Sequence, residues 1–243
     1  MTVTRIKKNT RAKIDFFEHQ EEQEFILEEG ASLFLYQIQT GKRNEQFHFK
    51  TQITQKQHSC LKLFSFFLGN QDVSNDLQVS LVGQGANAKL FSLYVLQENQ
   101  NAKQNISIHH AVPNTQSSQL CKSILQNHAK ARFTGKIRVE KNAQKTEASQ
   151  LNKSLMLGPK AKVETQPFLE ILADDVKCSH GATVSQLDEE QIFYLLSRGI
   201  PKFKAVQILI HGFSEDVLQN FEEQNLKNFL NQFLTKTLFA EAA

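Results

Sequence analysis

The chain has 243 residues, enough to bury a core as one long domain or as two smaller ones. Hydrophobic residues make up 40% and charged residues 22%, an ordinary globular composition, and 28 Lys plus Arg against 25 Asp plus Glu leave a formal charge of +3, too small to argue for nucleic acid. No stretch of 18 apolar residues could span a membrane, no apolar run follows the charged start to make a secretory signal, and three scattered cysteines without a CxxC pair exclude a disulfide framework and suit a reducing cytosol.

The first segment, "RIKKNTRAK", is basic and lacks interleaved aromatics, so residues 1–12 read as a solvated arm rather than a nucleic-acid site. From about Lys13 the period is that of strands. "ASLFLYQIQT", "EQFHFKTQI", "SCLKLFSFFLG", "LQVSLVG", "AKLFSLYVLQ", "QNISIHHAV" and "ARFTGKIRVE" are short, rich in Phe, Leu, Ile and Val, and largely alternate apolar with polar. Gly41, Gly69, Asn70, Gly83, Gly85, Asn87, Asn114, Gly135 and Gly158 punctuate them. Short strands joined by brief turns predict a sandwich, a barrel or a β-solenoid, and the near absence of helical signals excludes alternating βαβ units.

Two smaller features in this region read as structural. "VGQGANAK", from Val82 to Lys89, lacks the third glycine and the following helix of a phosphate loop, so it is a turn between strands. His109 and His110 are adjacent on a strand and cannot easily share a metal; one faces inward and the other faces solvent.

Beyond Ala182 the period changes. Asp188 is the predicted cap of a helix, with Glu189 and Glu190 in its first turn, Gln191 at the capping-box position, and Ile192, Leu195 and Leu196 on one apolar face. Arg198 followed by Gly199 ends it, and Pro201 opens a second helix whose wide apolar face carries Phe203, Val206, Leu209, Ile210 and Phe213. Ser214, before Glu215 and Asp216, reads as a further cap. Leu226, Phe229, Leu230, Phe233 and Leu234 then repeat at helical spacing. Residues 188–243 hold five basic and eight acidic side chains, so a basic β body ends in an acidic helical tail. One helical layer does not cover every apolar face of such a tail, which leaves surface for another protein.

The densest chemistry lies between the two regions, in "ADDVKCSHGATVSQLDEEQIFYLLSRGI". Cys178 and His180 are two apart and share one side of a strand. They supply one sulfur and one imidazole nitrogen, against the four ligands that zinc or an iron–sulfur cluster usually takes. Three readings stand on spacing alone: a complete site with Asp174 and Asp175, a buried Cys beside a hydrogen-bonded His, or half of a site finished by a second subunit.

The stretch from about Cys121 to Gly212 resembles the C-terminal core of the SufB/SufD family of iron–sulfur cluster assembly proteins. "PFLEILADDVKCSHGAT" and "LDEEQIFYLLSRGI" are closest to its SufD branch, with "SHGA" (Ser179 to Ala182) where the SufB branch carries an "EHEA"-type turn. The strands before Cys121 fit more loosely. The resemblance implies a right-handed parallel β-helix over residues 13–184 and a short helical domain over 185–243. It also implies pairing with a SufB-type subunit through the β-helix, docking of a SufC-type ATPase through the C-terminal helices, and no enzymatic activity in this chain.

By the same resemblance, Cys178 and His180 fall on the family's "KCSH" positions, where a transient cluster is shared with the SufB-type partner and none is tightly held by this chain alone. Asp188, Glu189, Glu190, Phe193, Tyr194, Arg198 and Phe203 are the expected SufC-docking residues. The family pattern includes a long N-terminal helical domain, whereas strands begin here almost at once. Two other readings are a homodimeric solenoid without a cluster role and a β-helical polysaccharide lyase or hydrolase.

Overall fold

The protein is described from a computed structural model covering residues 2–17, 22–40, 47–68 and 72–239. The expected turn markers Gly41, Gly69 and Asn70 lie outside the described residues. Strands β1 (Thr2–Ile6), β3 (Glu22–Leu27), β5 (Phe47–Gln55), β7 (Val73–Leu81), β9 (Asn101–His110), β11 (Lys130–Val139) and β13 (Lys162–Ile171) stack in that order into one parallel sheet. Strands β2 (Arg11–Phe17), β4 (Ser32–Gln39), β6 (Cys60–Leu68), β8 (Asn87–Leu96), β10 (Gln116–Leu125), β12 (Glu147–Met156) and β14 (Lys177–Gln186) stack into a second. The chain crosses from one sheet to the other at every step, which is a parallel β-helix.

From β4 onward each coil takes 27–31 residues by the register of the even strands, and the first, from β2 to β4, takes 21. The sequence shows no exact repeat because the corners, rather than the side chains, recur. At successive corners one residue holds a left-handed backbone: Asn9, Gly30, His58, Gly85, Asn114 and Lys145, with φ between 53° and 72°. Their amides bond to the neighbouring coil, as in Gly30 N to Gln57 O at 2.8 Å and Asn114 N to Gln144 O at 3.0 Å. "VGQGANAK" is one such corner. A Cβ on Gly83 would lie 2.0 Å from the Gln57 backbone nitrogen, so close coil packing requires glycine there.

The basic start is not a free arm. Thr2–Ile6 is β1 and Arg11 begins β2, so the solenoid opens ahead of Lys13. The basic and acidic segments meet here: Arg11 Nη2 lies 2.5 Å from Glu222, Lys13 Nζ 2.5 Å from Glu223, and Lys62 Nζ 3.4 Å from Glu222. Gly135 also departs from its expected role as punctuation, since it sits in mid-strand in β11.

Because parallel strands are in register, alternate side chains form files along the lumen. On the even sheet Leu35, Leu63 and Leu90 form one such file, and on the odd sheet Ile53, Val79, Ile108 and Ile137 form another; all are buried. The outward residues Phe64, Phe66, Leu93 and Val95 are also buried, because helices cover that face.

Three helices follow the strands: α1 (Glu189–Ser197), α2 (Lys202–Leu218) and α3 (Gln224–Phe239). Helices α2 and α3 lay Ile210, Val217, Leu218, Leu230, Leu234 and Leu238 on the even sheet, each side chain contributing roughly 1.5–3 kcal/mol. The solenoid corners cap α3, with Gln97 Nε2 donating to Thr237 O at 2.7 Å and Gln126 Nε2 to Leu238 O at 3.3 Å. Ser214 does not cap a helix; it is buried within α2 and its hydroxyl donates to Ile210 O at 2.9 Å, one turn back.

Candidate functional site at the open end of the solenoid

Among the described residues, strand β14 is the last of its sheet and pairs only with β12, while β13 is the last of the other and pairs only with β11. Both leave a row of backbone N–H and C=O groups facing away from the body. Cys178 continues the lumen file of Leu61, Ala88, Ser117 and Ala148, and His180 continues that of Leu63, Leu90, Gln119 and Gln150. The pair therefore stands at the mouth of the lumen, on the same side, as the spacing predicts. No coil lies beyond them among the described residues, so His180 is exposed and Cys178 half-buried.

Their surroundings differ. Cys178 packs on an apolar cluster with Ala148, Val139 and Ile171, and burial raises its thiol pKa, partly offset by a hydrogen bond with the Ala148 backbone. Asp174 and Asp175 are exposed. Asp175 acts through its backbone, which accepts from Lys145 N at 2.6 Å and donates to Gln144 Oε1 at 2.8 Å, tying the last corner to the one beneath it. Among the described residues no three His, Cys, Asp or Glu side chains come together to hold a metal. The end thus presents two donors, half of what a cluster takes.

The other cysteines and histidines sit elsewhere. Cys121 is enclosed in the lumen, and burial pushes its thiol up to about 12, so it stays protonated and unreactive. His110 faces inward, with Nδ1 2.7 Å from Thr115 Oγ1 and Nε2 2.8 Å from Ser117 Oγ. His109 faces outward, 2.9 Å from Glu140. The two histidines divide between the faces as the sequence predicts.

A second surface lies on α1 and the start of α2. Asp188 caps α1, accepting from Glu190 N at 2.9 Å and Gln191 N at 3.4 Å, and Glu189 and Glu190 are exposed in the first turn. The face of α1 expected to be buried is not: the helix has no buried residue. Phe193 is 73% exposed, Tyr194 57% and Phe203 56%, and Leu196 and Ile208 are also exposed apolar residues of these helices. Sequence periodicity put Leu196 on a buried face and did not single out Ile208, because it assigns apolar positions to faces without knowing which face has a partner. The Arg198 guanidinium lies 5.3 Å from the centre of the Tyr194 ring and leaves the rest of the patch open.

These features define a parallel β-helix that ends in a helical layer, with a Cys–His pair at its open mouth. The chain belongs to the SufB/SufD family: residues 3–213 match the description "SUF system FeS cluster assembly, SufBD core domain". That match includes the strands before Cys121. The chain is 36% identical over 191 residues to an iron–sulfur cluster assembly SufBD family protein of Synechocystis, covering 77% of this chain and 42% of that one. It is 38% identical over 163 residues to the iron–sulfur cluster assembly protein SufD of Escherichia coli, covering 67% and 38%. Over 235 residues it is 29% identical to Protein ABCI7, chloroplastic, of Arabidopsis thaliana, covering 84% and 50%. The chain thus spans half or less of the length of these relatives. No helix among the described residues is long and apolar enough to cross a membrane.

Proposed function

We propose that this chain is a SufD-type scaffold subunit of an iron–sulfur cluster assembly complex. A SufB-type partner pairs with the open end of the β-helix, and a SufC-type ATPase docks on α1 and the start of α2. One observation carries this reading. The two unpaired sheet edges and the Cys178–His180 pair occupy the same uncovered end, so a partner that extends the sheets also brings its own donors to the pair. The cluster is cargo, held transiently between two chains. His180, which is exposed, offers an imidazole nitrogen as a ligand; Cys178, with its raised thiol pKa, is the weaker donor. The chain does no bond-breaking of its own, and ATP hydrolysis belongs to the docked partner.

The acidic first turn of α1 and its uncovered aromatics support the docking role, because large exposed aromatics beside an arginine are the residues that dominate interface energetics. A reducing compartment suits the three free cysteines. Co-expression with SufB-type and SufC-type chains, followed by size exclusion and anaerobic iron and sulfide analysis, tests the reading. It expects a stable complex that holds iron, and a His180→Ala complex that assembles but holds less. A chain that stays alone overturns it, and one that only self-associates favours a homodimeric solenoid without a cluster role.

A further inference from the structure

The lumen changes character along its length. On the even sheet the file that begins Leu35, Leu63, Leu90 continues as Gln119 and Gln150 before it reaches the mouth. On the odd sheet the facing file runs Leu77, Ile106 and then Gly135. The two changes are complementary. A Cβ on Gly135 would lie 1.6 Å from Gln150 Nε2, so the amide of Gln150 fills the space where a side chain of β11 would be. A glycine in mid-strand weakens a sheet, and here it makes room for a polar group inside the protein.

These polar groups lack partners. Gln119 and Gln150 are 3% and 2% exposed, and among the described residues neither the oxygen nor the nitrogen of either amide has a hydrogen bond. Asn152 Oδ1 and Thr165 Oγ1, in the same last coils, are also buried without one. Farther inside, some of the lumen's polar groups pair: Gln37 Nε2 donates to Thr51 at 2.9 Å, Ser65 to Gln37 at 2.8 Å, and Gln104 Nε2 to Ser92 at 3.0 Å, while the Gln39 amide, Gln55 Oε1 and Asn75 Oδ1 are also buried without a partner among the described residues. Polar groups this deep are satisfied in folded proteins, by water where no protein group serves. A cavity of about 20 Å³ bordered by Gln104, Ser123, Asn152 and Ser154 reaches Asn152 but is not lined by Gln119, Gln150 or Thr165, and a single water needs only about 10–15 Å³.

We propose that the last coils enclose a hydrated chamber, in which ordered water is held by the amides of Gln119, Gln150 and Asn152 and the hydroxyl of Thr165. One water occupies the cavity beside Asn152, and further water bridges the two glutamine amides above Gly135. The chamber adjoins the mouth through the file that ends at His180. It does not depend on a cluster or on any partner.

Magnetic relaxation dispersion of water oxygen-17 and deuterium on the full chain counts long-lived internal waters and is the test. The wild-type protein should show them, and Gln119→Met together with Gln150→Met should reduce the amplitude by at least one water, because methionine fills the same volume without hydrogen-bonding capacity. An unchanged amplitude in that variant overturns the proposal. So does a wild-type protein with no long-lived water, as expected if the two amides pair directly with each other; that measurement stands whether or not the variant folds. Loss of iron loading with these waters intact would count against the proposed function and leave the chamber standing.

Discussion

Lys122 reaches from the outer face of β10 into α2, its Nζ 2.5 Å from Asp216 Oδ2 and 2.6 Å from the Phe213 carbonyl oxygen, over the face of the Phe213 ring. The lysine side chain is 2% exposed and Asp216 51%, so one partner is desolvated and the other is not. Burial lowers the Lys122 pKa, and Asp216 opposes that shift. Lys122→Ala removes the side-chain donor to the Phe213 carbonyl and leaves a cavity under α2. The expected loss is about 2–3 kcal/mol in urea unfolding, at the lower end for a broken buried pair because Asp216 keeps its water. Asp216→Asn should cost less than half of that. Equal losses in the two variants would mean that the charge, rather than the buried stem, anchors the helix.

His110 should make the fold sensitive to mild acid. Burial lowers its pKa to about 4, with the neighbouring His109 acting in the same direction. Unfolded, the ring takes its proton near pH 6.5. Stability is therefore full above about pH 6.5, falls as the unfolded chain alone gains a proton, and levels off near pH 4. Between about pH 7.5 and 5 the loss is about 2 kcal/mol. Glu140, held low by Arg138 and His109, and Glu170, held low chiefly by Lys136, lose their contributions as pH falls from the ordinary carboxylate range downward, below this window. Denaturant midpoints measured across the interval should flatten in His110→Gln.

The three thiols should separate by rate. Cys60 is exposed, Cys178 is half-buried with a raised pKa, and Cys121 is enclosed with its thiol near 12. Alkylation at neutral pH should modify Cys60 first and Cys178 more slowly, and should reach Cys121 only on unfolding. If the open end is covered by a partner in the complex, protection of Cys178 with Cys60 unchanged is the expected signature. Equal rates at Cys60 and Cys178 in the complex would place the partner elsewhere.

Phe193→Ser with Tyr194→Ser separates stability from docking. No residue of α1 is buried, so unfolding should change by less than about 0.5 kcal/mol. Association with the SufC-type chain should weaken by about 2 kcal/mol or more, roughly 30-fold, if these rings are interface anchors. Size exclusion with titrated partner measures it, and unchanged association would remove α1 from the docking surface.

The sequence made the division of the molecule legible, but not its geometry. Alternation marks strands, and Asp188, Glu189 and Glu190 mark a helix start, because both signals are local. The choice among sandwich, barrel and solenoid depends on which strand pairs with which, and pairing across about 27–31 residues leaves no local trace. The first strands looked like an arm because "RIKKNTRAK" is charged, and its acidic partners, Glu222 and Glu223, lie some 210 residues away. Cys178 and His180 were readable as a same-side pair. Their position at the lumen mouth was not, since it follows from where the coils stop.

Gly135 and Gln150 offer the sharpest test of how the lumen is built. Gly135 looked like turn punctuation, yet it is the residue in β11 that gives way to the Gln150 amide. In Gly135→Ala the new methyl would meet Gln150 Nε2 at 1.6 Å and the Phe133 ring at 2.8 Å. Gln150 is enclosed and cannot swing into solvent, so overpacking should cost about 1–3 kcal/mol even though alanine suits a strand better than glycine. Gln150→Ser alone opens a cavity and should also destabilise. The double variant relieves the clash and partly fills the space, so its loss should be smaller than the sum of the single losses by at least about 1 kcal/mol. Strict additivity in thermal or urea unfolding would show that the two residues do not share one site across the lumen.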